Sequence, residues 1–345
     1  MLTFDNDSHA PTPGRRPGVA PRPARILVPP PNPFGAGAGM FTPEAGAVPF
    51  PGYRLVRLRG VGGFATVWET TDPTGDRVAL KFMSSATTGS TARELRSLQQ
   101  FQTLDHPGLL RMRQVWSVPG WIVIGMDLAE ASLLDLLELY TEEFSRPIEL
   151  EKIGQYLTAA AIALDFLNAR THRIDGRLAG LQHGDIKPNN ILIRNDVALL
   201  ADYGMATPTA GPYTPCPRHG TAEYCSPEVF QGTLTERSDQ FSFAVTYHVL
   251  RTGAFPYPQP PAIGGGALKN YVRPDPDLSL LPPAERPLLA RALAAIPQNR
   301  YPTCAELMAQ LLSVHGMAAR KNDDGTVTVG PATESVLLSR ARLFR

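Results

Sequence analysis

Two stretches, Gln182-His183-Gly184-Asp185-Ile186-Lys187-Pro188-Asn189-Asn190-Ile191-Leu192-Ile193 and Ala201-Asp202-Tyr203-Gly204, bring two carboxylates, an amine and an amide into close succession. Such a set can take up a proton, neutralise anionic charge and offer hard oxygens to a divalent cation. Taken singly, Asp185 and Asp202 also read as turn residues. Upstream, Gly60-Val61-Gly62-Gly63-Phe64-Ala65-Thr66-Val67 falls between two predicted strands, where a glycine hairpin can close over phosphates with its backbone N–H groups. A plain tight turn reads the same way, and Ala65 stands where a third glycine would complete the pattern. Val78-Ala79-Leu80-Lys81 ends an apolar run on a lysine whose burial demands an anion. Glu94, in Arg93-Glu94-Leu95, can supply one and so aim Lys81 at ligand phosphates. Considered singly, each reads as an ordinary surface residue.

These side chains need a scaffold, and the chain changes texture twice. β-type runs at Tyr53–Leu58, Thr66–Thr71, Arg77–Met83, Leu109–Ser117 and Trp121–Met126 predict a small antiparallel sheet, interrupted by one helix at Thr91–Thr103. After Ser132, Ile153, Leu157, Ala160, Leu164 and Leu167 recur at helical spacing, and Thr303 with Glu306 predicts a capping box before a last helix. The fold class is therefore α+β, a β-rich lobe followed by an α-rich one. Residues 1–51 hold about a third of the 34 prolines and read as a disordered arm, either a solvated tail or a polyproline ligand for a partner domain. From about Gly316 a tail follows, with the turn signal Asp323-Asp324-Gly325 and the basic end Arg340, Arg342 and Arg345.

With 345 residues, 43% of them hydrophobic, the chain can bury a substantial core. Its 33 basic residues balance 32 acidic ones, so no net field draws in nucleic acid or an anionic membrane. Cys216, Cys225 and Cys304 are too few and too scattered for a disulfide framework or zinc site and suit a reducing cytoplasm. No apolar run reaches the roughly 18 residues of a membrane span, and Arg15-Arg16 is followed by prolines rather than by an export signal's apolar stretch.

The Gln182–Ile193 and Ala201–Gly204 stretches resemble the catalytic loop and metal-binding motif of the eukaryotic-like (Hanks-type) serine/threonine protein kinases, and the likeness runs from about Tyr53 to about His315. It implies a bilobal kinase fold, with an N-lobe over about 52–127 and a C-lobe over about 131–315. It also implies transfer of the γ-phosphoryl of ATP to Ser/Thr hydroxyls of protein substrates, with Mg²⁺ or Mn²⁺ as cofactor. Asp185 would then accept the hydroxyl proton and Lys187 would reach the transferring group. Asn190 and Asp202 would hold the metal, and His183 would brace the loop. By the same resemblance Met126 backs the adenine pocket, Asp127 and Ala129 bond adenine through their backbone, and Val67, Ala79 and Leu192 sandwich the ring. Gly60, Val61, Gly62, Gly63, Phe64 and Ala65 close over the phosphates, beside Lys81 and Glu94.

Gly220-Thr221-Ala222-Glu223-Tyr224-Cys225-Ser226-Pro227-Glu228 resembles the segment that docks the acceptor peptide, with Thr221 near Asp185 and Lys187. The resemblance further implies a buried Glu228–Arg300 ion pair and an Asp239 anchor under the catalytic loop. Arg93-Glu94-Leu95, His106-Pro107 and Leu181-Gln182-His183 resemble bacterial, planctomycete-like kinases. Two departures stand out. Gly184 replaces the arginine that in many members pairs with a phosphorylated activation loop, and the connection Asn168–Gly180, with His172, Arg173, Asp175 and Arg177, is long. That connection is either a docking loop or a surface insertion. Two other readings are a catalytically weak or inactive kinase-fold scaffold and a small-molecule kinase. The first is opposed by the complete set Lys81, Glu94, Asp185, Asn190 and Asp202, the second by the docking segment.

Overall fold

Side-chain alternation across one sheet organises the first lobe. The computed structural model describes residues 41–62, 65–84, 98, 101–118, 120–174, 176–203, 206–209, 211–215, 220–260 and 271–332. Strands β1 (Arg54–Val61), β2 (Ala65–Thr71), β3 (Arg77–Ser84), β4 (Met112–Val118) and β5 (Trp121–Asp127) form an antiparallel sheet in the order β1-β2-β3-β5-β4. Because successive side chains of a strand point to opposite faces, central β3 is buried on both. Ala79 and Met83 join the main core with Ile122, Ile124 and Met126, while Leu80 and Phe82 join a second core with Val123 and Trp116. Lys81 shares the face of Ala79 and Met83. Of the expected helix at Thr91–Thr103, Leu98 and Phe101 are helical and buried in the main core, and Glu94 lies outside the described residues.

What covers the second face corrects the expectation that residues 1–51 are a disordered arm. Residues 41–51 pack on the sheet: Phe50 is buried and stacks on Trp116 at 4.4 Å, Phe41 lies 5.9 Å from Phe82, and the Trp121 indole donates to the Phe41 carbonyl at 2.8 Å. Averaged composition hid two phenylalanines that have tryptophans to meet. Gly125 makes room here, since a Cβ would come within 2.9 Å of the Trp116 ring. Residues 1–40 lie outside the described residues.

The second lobe begins with β6 (Ala131–Ser132) and α1 (Leu133–Glu138), where Ser132 and Asp135 form a capping box. Helix α2 (Leu150–Asn168) buries Ile153, Leu157, Ala160, Leu164 and Leu167, as the spacing predicts. The long connection after it forms a hairpin of β7 (His172–Ile174) and β8 (Arg177–Gln182). Strands β9 (Ile191–Arg194) and β10 (Val197–Leu200) carry the floor of the cleft, with β6 paired to β9. Two short strands, β11 (Thr207–Thr209) and β12 (Thr214–Pro215), are followed by helix α3 (Pro227–Phe230) and strand β13 (Thr233–Leu234). Helix α4 (Ser238–Thr252) is buried all round from Ser238 to Leu250, its polar residues included. Helices α5 (Arg286–Ala292) and α6 (Cys304–Ser313) complete the lobe.

At α6 the expected capping box is half made: the Thr303 hydroxyl accepts the Glu306 N–H, and Asp165 of α2 accepts those of Cys304 and Ala305. From Gly316 the chain forms a hairpin, β14 (Met317–Lys321) and β15 (Val327–Pro331), turning at Asp323-Asp324-Gly325 with Gly325 at φ 86°. Val327 and Val329 are buried against Leu312, Ala159 and Ile162, so this stretch is part of the lobe's packing.

Candidate active site

Strand β8 delivers the catalytic loop, and a carboxylate from the buried helix α4 fixes it. Asp239 accepts the N–H groups of His183 at 2.7 Å and Gly184 at 2.9 Å, and its own N–H bonds Gln182 Oε1. His183 Nε2 bonds the Ala201 carbonyl at 2.7 Å, and its Nδ1 accepts from the Asp185 N–H. This ties the loop to the strand that leads into Asp202. Gly184 sits at φ 79° and Gly220 at φ 94°. A Cβ on Gly220 would lie 2.4 Å from the Gly184 carbonyl, so the glycine lets the docking segment touch the loop.

That approach brings Thr221 onto Asp185. The Thr221 N–H and hydroxyl donate to Asp185 Oδ1 at 2.9 and 2.8 Å, and the same hydroxyl accepts from Lys187 Nζ at 2.6 Å. Lys187 also lies 2.9 Å from Asp185 Oδ2, and Asn190 Nδ2 donates to Oδ2 and to the Asp185 carbonyl. Burial pushes the Asp185 carboxyl up, but Lys187 and the Thr221 donors outweigh it and hold it below the ordinary carboxylate range. The carboxylate is therefore ionised at neutral pH.

Across the cleft, Lys81 Nζ lies 2.7 Å from Asp202 Oδ1. Asp202 occupies φ 61°, in the left-handed region that is uncommon for non-glycine residues and that aspartate tolerates better than most. Val67 lies opposite Lys81 on β2 and Ala79 opposite Met126 on β5, while Leu192 rises from β9 and packs with Val67 against the same core. The glycine hairpin is closed by Gly62 N–H to the Ala65 carbonyl, with Gly60 opposite Val67 and Val61 opposite Thr66. Gly63 and Phe64 lie outside the described residues.

At the hinge, the stretch between β5 and β6 that joins the two lobes, Asp127 takes Arg113 Nε and Arg194 Nη1, each at 2.6 Å, and its N–H bonds the Arg111 carbonyl. Arg59, immediately before the glycine hairpin, donates to the Glu130 carbonyl at 2.7 Å and to that of Ala129 at 3.4 Å. Sequence reasoning missed these arginines, since nothing local pairs them with the hinge. Glu228 and Arg300 form a bidentate pair, both contacts 2.8 Å, with the arginine fully buried. Burial alone would raise the Glu228 carboxyl, but Arg300 outweighs it and holds it low.

The profile of the protein kinase domain matches residues 53–313. This chain belongs to the protein kinase family. Among relatives, it is 29% identical over 285 residues to serine/threonine-protein kinase PknE of Mycobacterium tuberculosis, an alignment covering 80% of this chain and 48% of the relative. To PknF of the same organism it is 28% identical over 328 residues, 87% of this chain and 64% of the relative, and to PknH of Mycobacterium bovis 30% over 272 residues, 75% and 43%. The chain thus spans less than two-thirds of the length of these curated relatives. These relatives are bacterial serine/threonine-protein kinases, and the likeness supports a bacterial, Hanks-type member of the family. The bilobal kinase fold is the one described above. Among the described residues, no helix of the kinase is long and apolar enough to cross a membrane.

Proposed function

We propose that the chain is a catalytically active serine/threonine kinase that transfers the γ-phosphoryl of ATP to Ser/Thr hydroxyls of protein acceptors. The observation that carries this reading is the closed set Asp185, Thr221 and Lys187, in which the docking segment reaches the ionised carboxylate directly. In the reaction the acceptor oxygen bonds to the γ-phosphorus, the bond to the β–γ bridging oxygen breaks, ADP leaves, and the hydroxyl proton passes to Asp185. Lys187 neutralises charge on the transferring group, and Thr221 holds both side chains in register.

Lys81 would bind the ATP phosphates, with Glu94 as its second carboxylate, while the hairpin from Gly60 to Ala65 covers them. Met126, Val67, Ala79 and Leu192 would enclose adenine, and the backbone of Asp127 and Ala129 would bond its edge. The donors fit a hard cation: the Asn190 amide nitrogen is spent on Asp185, leaving its oxygen, and Asp202 has a second carboxylate oxygen beyond the one facing Lys81. Mg²⁺ held by Asn190 and Asp202, or Mn²⁺ in its place, supplies neutralisation of the β- and γ-phosphate charge.

The test is incubation with γ-labelled ATP and Mg²⁺, with and without a basic protein acceptor, beside Asp185→Ala. Label on serine or threonine that vanishes in the variant is the expected result; equal label in both overturns the assignment of Asp185. A weak or inactive nucleotide-binding scaffold has one observation on its side, the Lys81 ammonium resting on Asp202. ATP binding without transfer to any acceptor would favour it.

A further inference from the structure

A buried guanidinium must have its charge and its donors met, because leaving them unpaired away from water is costly. Arg273 is buried, 8% exposed, and the acceptors that its Nε and Nη2 have found are backbone carbonyls of the docking segment, while its buried Nη1 has no partner among the described residues. Its Nη2 donates to Ala222 O at 2.6 Å and Glu223 O at 2.9 Å, and its Nε to Cys225 O at 2.9 Å. Its Cζ lies over three aromatic rings, 4.6 Å from the centre of Tyr257, 5.1 Å from that of Phe230 and 5.6 Å from that of Phe241. Three successive contacts with one rigid fork fix the course of residues 222–225, and Thr221 at the head of that stretch bonds Asp185.

Between Asp202 and Thr221, the activation segment of this chain, the described residues are held by contacts that need no phosphate. β11 pairs with β8, β12 pairs with β13, and Gln298 Nε2 donates to the Tyr213 hydroxyl at 3.0 Å.

We propose that Arg273 is the positioning residue that holds the acceptor-docking segment in its working course without phosphorylation, so that use of a protein acceptor depends on Arg273 while use of ATP does not. This rests on the kinase reading above. A merely structural arginine would lower every activity together, whereas a positioning residue separates the two substrates.

The experiment compares the full chain with Arg273→Met and Arg273→Lys, measuring KM for a protein acceptor, KM for ATP, acceptor-independent ATP hydrolysis and melting temperature. In Arg273→Met the acceptor KM rises about tenfold or more, as loss of charge-assisted hydrogen bonds implies, while ATP KM and hydrolysis stay within about twofold. Arg273→Lys falls between, since an ammonium can meet part of the carbonyl set. An unchanged acceptor KM in a folded variant, or equal losses on both substrates, overturns the proposal. If Arg273→Met does not fold, Arg273→Lys is judged by the same split. Hydrogen exchange supplies an arm independent of turnover: the Tyr224 and Cys225 amides are protected in the unphosphorylated chain and lose protection in Arg273→Lys. Fast exchange in the parent protein, or no loss in the variant, refutes the role of Arg273. A parent protein that labels no acceptor refutes the kinase reading instead, and the exchange comparison still decides Arg273.

Discussion

Lys81 on β3 and Asp202 below it lie 2.7 Å apart, 121 residues distant in sequence, so one contact spans the cleft between the two lobes. Both side chains keep some exposure to the cleft, 17% and 38%, which leaves them reachable by an incoming anion and cation.

Replacing Lys81 by Met releases Asp202 and removes the cation proposed to bind the ATP phosphates. Phosphoryl transfer is expected to fall by about 100-fold or more while the fold persists, because the lysine is not in the core. Steady-state kinetics with matched circular dichroism checks this, and near-parental kcat/KM would show that Lys81 does not handle phosphate.

Glu228 and Arg300 are a buried bidentate pair, and leaving one charge alone in such a site typically costs about 3–5 kcal/mol. Arg300→Met should therefore destabilise the chain by about that much. Adding Glu228→Gln should recover a good part of it, because the stranded carboxylate is then gone. Urea denaturation of the two single variants and the double one measures the coupling.

Thr207, Thr209 and Thr214 lie on the short strands of the activation segment, whose backbone pairings are made without any phosphate. Thr207 and Thr214, which are only part-buried, should each keep activity within about threefold of the parent when changed to alanine, whereas Thr209 is buried and donates to the Gly180 carbonyl, so its alanine variant is to be read beside a melting temperature. A collapse in one of them, restored by an acidic side chain at the same position, would show that phosphorylation orders the segment. Thr221 is a poor probe, because it bonds Asp185 and Lys187 directly.

Asp165 is pushed up to about 6 by burial, which outweighs the N–H groups it accepts from Cys304 and Ala305. Its folded value lies above the ordinary 3.8, so the folded state binds the extra proton. The corresponding stability is fully present below that ordinary value and is lost as pH rises through about 6. The change amounts to about 3 kcal/mol between those limits. Denaturation midpoints from pH 4 to pH 7 should fall from this group, and Asp165→Asn should flatten that part of the curve.

Much of the candidate site was legible because its members are close in sequence. Asp185, Lys187 and Asn190 share one loop, and their spacing alone puts the amide and the ammonium within reach of one carboxylate. The apolar run Val78–Leu80 likewise marked Lys81 as a lysine in need of an anion, though not which carboxylate it would meet. Thr221 needed the resemblance, since its partner lies 36 residues earlier. Arg273 carried no local signal at all. Its acceptors are carbonyls 48 to 51 residues away, which every residue possesses and no side-chain pattern marks. The strap at residues 41–51 was misjudged for a related reason, as proline content describes an average while burial is decided by Phe41 and Phe50.

By itself the sequence determined the order of the two lobes and the close spacing of Asp185, Lys187 and Asn190 on one loop, because periodicity and short spacing are set by backbone geometry. Only the tertiary structure decided that Lys81 meets Asp202, that Arg59 reaches the hinge carbonyls, and that a buried guanidinium holds the docking segment. Those contacts join residues tens of positions apart. Chain connectivity leaves such pairs free to meet or not, and the choice falls to packing, where a buried charge must find whatever acceptor the folded chain brings within 3 Å.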